Sequence, residues 1–79
     1  MSARKARQLG LTHAVRVASS VLRSGWDHEA GSAGLSEVCT AEAYEESGLG
    51  PEDLSLVELH DASAPAELMA YESLGLCPK

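Results

Sequence analysis

Two short runs of strand-forming residues decide what this chain can fold into. The first covers residues 15–23 and the second residues 55–59. Both are rich in Val, Leu and Ser, and each is closed by a turn residue or a polar pair. Between them lie residues 24–54, too long for a hairpin and patterned as a helix in the middle. Strands joined by a helix-containing connection of this length pair in parallel, through a right-handed crossover. The expected class is therefore α/β, with about two parallel strands, α-helical crossovers and the order α-β-α-β-α.

Residues 2–9 predict a short helix, with Ser2 as its N-cap and Gly10 as its stop. Its three basic residues read as a solvated face. Residues 24–34 are a Gly-, Ser- and Ala-rich loop carrying Trp26, Asp27 and His28, with Trp26 read as a lid over the core's edge. Residues 35–47 predict an amphipathic helix capped by Ser36, with Val38, Cys39 and Ala43 facing inward and Gly48 as a left-handed stop. Glu42, Glu45 and Glu46 form its wet face, and Cys39 reads as a buried, inert thiol, since no base lies beside it. Pro51 opens a single helical turn, and the last helix spans residues 65–74, ending near Gly75.

The chain has 79 residues, no Phe, one Trp and two Tyr, so one small domain is the limit. A chain of this size buries only about 60–65% of its unfolded surface and is marginal without staples. Cys39 and Cys77 match neither a CxxC nor a zinc pattern and read as reduced thiols of the cytoplasm. Residues 1–23 hold Arg4, Lys5, Arg7, Arg16 and Arg23 and no acid, whereas all twelve acids lie beyond them. The strand-like run inside that basic stretch argues against an organelle transit peptide. The acidic body and the lack of interleaved aromatics argue against nucleic acid. No apolar run reaches the length of a membrane span.

The chemistry-bearing residues are His60 and Asp61, at the carboxyl end of the second strand and just ahead of a helix. Open α/β sheets place ligands at such corners. On the residues alone, a satisfied or helix-capping histidine is the stronger reading. Glu67 and Tyr71 lie one turn apart on the last helix and read as a hydrogen-bonded pair or as pocket lining. Glu58 alternates with Val57 and Leu59 and is expected at an edge or hydrogen-bonded, because an unpaired buried acid is costly. Asp27 with His28, and His60 with Asp61, are too isolated to form a metal site. Serine-nucleophile elbows, phosphate loops and dinucleotide fingerprints do not occur in the sequence.

A family resemblance adds to this. Val57, Glu58, Leu59, His60 and Asp61, then Glu67, Leu68, Met69, Ala70, Tyr71 and Glu72, then Leu74, Gly75, Leu76 and Cys77, follow in order. The series resembles the His-Asp-Cys-Phe region of sterol-carrier-protein-type (lipid-transfer) thiolases. Residues 15–25 resemble the first strand of the thiolase C-terminal half, and residues 43–53 the helix and turn after it. The resemblance implies one partial domain over residues 1–79, the opening segment of a thiolase C-terminal domain. It implies an acyl-CoA acyltransferase that thiolyses or condenses 3-ketoacyl-CoA, with coenzyme A as co-substrate and no resident cofactor.

By the same resemblance, His60 contributes an oxyanion-hole donor and Asp61 orients it. A fixed donor aimed at a developing alkoxide is worth about 3–4 kcal/mol. The family's nucleophilic Cys, its Gly-His-Pro histidine and its Cys-x-Gly cysteine have no counterpart here, and Cys39 and Cys77 do not match them. The implied fragment is inactive alone. Ala62 and Ser63 stand where the family has Cys-Phe, which changes the expected acyl pocket. Rival readings are a retro-aldolase of the same family acting on steroid side-chain thioesters, a truncated remnant, and a non-catalytic module that completes a partner's sheet. A homodimer or a completing thiolase chain is the expected protein partner.

Overall fold

The computed structural model describes residues 1–79 except 26, 28, 61 and 79. Among the described residues, three α-helices form where local signals are complete. Helix α1 (Ala3–Gln8) starts at Ser2, whose Oγ accepts from the Lys5 N–H at 3.2 Å. It ends in a double turn, the Gly10 N–H on the Arg7 carbonyl and the Leu11 N–H on the Ala6 carbonyl, with Gly10 at φ +66°. That is the Schellman arrangement, which satisfies otherwise orphaned carbonyls.

Helix α2 (Leu35–Ser47) has the expected bounds and stops at Gly48, φ +70°, whose N–H returns to the Tyr44 carbonyl. Its N-terminus differs from expectation. Gly34, not Ser36, is the N-cap residue, and the Glu37 carboxylate accepts from the Gly34 N–H at 3.1 Å. The helix begins one residue before Ser36, so that serine is already inside it and Glu37 at the third position does the capping. A 3-10 turn, Pro51–Asp53, follows with Pro at its first position. Helix α3 (Ala64–Ser73) is capped by Ser63, whose Oγ accepts from the Ala66 N–H at 3.4 Å. It closes on a second Schellman turn with Gly75 at φ +72°.

The two strand-forming runs behave differently from the expected sheet. Residues 14–23 and 54–60 carry no regular helix, and no strand pairing occurs among the described residues. A parallel pair needs further strands beside it and helices on both faces. Among the described residues, α2 and α3 pack on each other instead. Val15 and Leu22 consequently stand 93% and 96% exposed, and Leu56 82%.

Size and surface tell the same story. The Cα radius of gyration is 15.8 Å, against about 12 Å for a compact domain of this length. The accessible surface is 6711 Å², against roughly 4,600 Å² for a compact 8.3 kDa monomer. Ala6 is the one buried residue among those described. Cys39, expected to be buried, is therefore only half-covered on α2, and Cys77 is exposed; both are free thiols.

Candidate functional site

Residues 44–75 form a loop that leaves α2 and returns to it. The chain passes Gly48, turns at Pro51–Asp53, runs without regular secondary structure through 54–60, and comes back as α3. At the return, the Tyr44 hydroxyl on α2 donates to the Leu74 carbonyl at 2.8 Å. Beside it a Cβ added to Gly75 would lie 3.5 Å from the Pro51 ring, so the backbone there is in packing range of that ring. A groove of about 810 Å³ opens along this junction, lined in part by Arg23, Val38, Tyr44, Pro51 and Leu74.

His60 stands at the far turn of the loop, away from that groove. It is exposed, at the end of the extended run and three residues ahead of the α3 cap. It has no hydrogen-bond partner among the described residues, so the capping histidine weighed from sequence is not what forms. Ser63 takes the capping place instead. Asp61, the expected orienting residue, lies outside the described residues, as do Trp26 and His28. Among the described residues, none is hydrogen-bonded to His60 at this exposed position.

Other sequence readings resolve more fully. Tyr71 donates to the Glu67 carboxylate within α3, the hydrogen-bonded pair rather than pocket lining. Glu58 is exposed, the inexpensive place for an acid on an apolar run. Glu42, read as wet face, is instead tied to Arg23: both Nε and Nη2 reach its Oε2 at 2.8 Å. Nothing in the local sequence announces this contact, since the partners are nineteen residues apart and on different elements. The Tyr44–Leu74 closure was equally silent; its only trace is that Tyr44 sits one turn before the helix stop. No helix among the described residues is long and apolar enough to cross a membrane.

Comparison with known proteins fixes the family. Residues 28–79 match the model of the "Thiolase C-terminal domain-like" family. Over 77 residues the chain is 49% identical to benzoylsuccinyl-CoA thiolase subunit BbsB of Thauera aromatica, covering 92% of this chain and 20% of that protein. Rat sterol carrier protein 2 is 49% identical over 45 residues, 57% of this chain and 8% of its own length. A Caenorhabditis elegans non-specific lipid-transfer protein-like 2 is 51% identical over 35 residues, 44% of this chain and 8% of that protein. The chain thus spans at most a fifth of these relatives. No solved structure matches significantly. The motif from Val57 to Cys77 lies inside the matched region, and with it the chain belongs to the thiolase C-terminal domain-like family.

Proposed function

We propose that the chain is the opening segment of the C-terminal half of a thiolase-like acyl-CoA acyltransferase, a single partial domain that brings His60 to the acyl site. The reaction is reversible: 3-ketoacyl-CoA and coenzyme A give a shortened acyl-CoA and acetyl-CoA. The Cα–Cβ bond breaks, the acyl group passes to the incoming sulfur, and the acetyl-CoA carbanion takes up a proton. His60 donates an N–H to the thioester oxygen as negative charge gathers on it, and Asp61 orients the imidazole. The nucleophile and its base come from chain outside residues 1–79. Coenzyme A is co-substrate, and the compartment is the cytoplasm.

The observation that carries this reading is the family match across 28–79, which includes His60. A relative named as a benzoylsuccinyl-CoA thiolase subunit supports a CoA thioester as the substrate class. The exposed imidazole, unengaged among the described residues, supports a role toward a ligand. In the complete sheet, residues 15–23 and 55–59 become neighbouring parallel strands.

The test begins with the native polypeptide captured from its source cells by an antibody to residues 54–77. Its expected activity is CoA-dependent cleavage of 3-ketoacyl-CoA, followed as acetyl-CoA by mass spectrometry. His60→Ala is expected to lower turnover about 10²- to 10³-fold. A captured species that cleaves no 3-ketoacyl-CoA, or whose turnover is untouched by His60→Ala, overturns the reading. A second reading, a sheet-completing module without catalysis, is favoured by the exposed apolar residues of the extended runs. It predicts a stable complex in which His60→Ala changes nothing.

A further inference from the structure

The loop that carries His60 is closed where the Tyr44 hydroxyl of α2 meets the end of α3. We propose that Tyr44 is the positioning residue for the His60 turn; the catalytic part of this inference rests on the function proposed above. The last carbonyls of a helix have no intrahelical partner. At the end of α3 the Schellman turn takes the Tyr71 and Glu72 carbonyls, through the N–H groups of Leu76 and Gly75 at 2.9 and 3.0 Å. The Leu74 carbonyl is left over, and the Tyr44 hydroxyl occupies it from α2.

The bond spans thirty residues and makes α3 an arm fixed at its C-terminal end. Helix α3 has ten residues, so the arm is about 15 Å long. Its other end carries the Ser63 cap, and His60 lies three residues before that cap in the sequence. On the outgoing side the Pro51 ring lies near the same corner, 3.5 Å from where a Cβ on Gly75 would stand, so both limbs of the loop start close together. A small rotation of α3 about this anchor becomes a displacement several times larger at His60. An oxyanion donor works only within a few tenths of an ångström of its place. Tyr44 acts on that distance through α3 and touches no reacting atom.

Tyr44→Phe keeps the ring and deletes only the hydroxyl. In the full chain, amide exchange over residues 62–67 is expected to quicken about 2- to 10-fold, the range for one lost side-chain hydrogen bond. In the native species kcat is expected to fall by a similar factor with KM unchanged, because the donor is misplaced and not removed. Gly75→Ala, which strains a φ of +72° at the same anchor, is expected to reproduce the kcat loss while leaving the hydroxyl in place. Unchanged exchange over 62–67 in Tyr44→Phe overturns the clamp. If His60→Ala lowers turnover about 10²- to 10³-fold and Tyr44→Phe leaves kcat intact, or if KM alone rises, positioning is overturned while the proposed function stands. If His60→Ala is itself without effect, the function fails, and the catalytic part of this inference fails with it.

Discussion

The first 25 residues and the last 45 are made of comparable material and end up in different states. Each holds a capped helix with a Schellman stop and one apolar extended run. In the C-terminal part, α2 and α3 meet, a hydroxyl bridges them, and Val57, Leu59 and Leu74 reach half-burial. In the N-terminal part, α1 stays a single short turn-and-a-half of helix, and the run after it keeps Val15 and Leu22 in water. The difference is the number of partners, not the quality of local signals. Capping and turn chemistry complete a helix within its own sequence, whereas a strand has half its hydrogen bonds on another segment. The N-terminal run has strand composition, and it is paired with no strand among the described residues.

Amide hydrogen exchange offers the sharpest test of this comparison. Residues 14–23 are expected to exchange within a few-fold of unstructured rates, and the middle of α2 about 10-fold or more slower. Proteolysis should follow the same order, with the first cuts between residues 12 and 33. Equal protection of both regions would mean that the N-terminal run is paired in solution, and the comparison would fall. Binding of a sheet-completing polypeptide is expected to slow residues 14–23 and 55–59 together, and α2 much less.

The glycines separate the regions by a smaller effect. Gly48 ends α2 at φ +70°, where a Cβ costs about 1 kcal/mol, although the space around it is open. Gly25, in the loop after the N-terminal run, has open space and no such φ. Gly48→Ala is therefore expected to lower helical content and thermal stability measurably by circular dichroism. Gly25→Ala should change neither, or stabilise slightly by restricting the unfolded chain. A loss in Gly25→Ala as large as in Gly48→Ala would show that the loop is ordered as tightly as the helix stop.

What could be read from the sequence divides along the same line. The bounds of α2, the Ser2 cap, the Gly10 and Gly48 stops and the Pro51 turn were all legible, because their donors and acceptors lie within five residues. The last helix was legible to within one residue. The resemblance carried by Val57 to Cys77 also sufficed to anticipate the family. The Ser36 cap failed by one residue in favour of Gly34 with Glu37, the usual uncertainty at a helix end. Strand pairing, Cys39 burial and the Tyr44–Leu74 bond were not legible, since each depends on how distant segments meet.

The Arg23–Glu42 ion pair ties the N-terminal run to α2, and removing it is expected to have the smallest effect. Their side chains remain 50% and 41% exposed, so water screens the charges and competes for the donors. Exposed pairs of this kind contribute about 0.2–1 kcal/mol, even with a forked guanidinium. Glu42→Gln is therefore expected to leave the helical signal nearly unchanged and to raise exchange at residues 21–24 by no more than about 5-fold. Added salt should do the same to the wild-type chain and little to the variant, because a screening length near 3 Å at 1 M abolishes a surface pair. If Glu42→Gln instead unfolded α2, the N-terminal run would be holding the helix pair together. The contrast between a self-sufficient C-terminal clasp and a tethered N-terminal run would then have to be reversed.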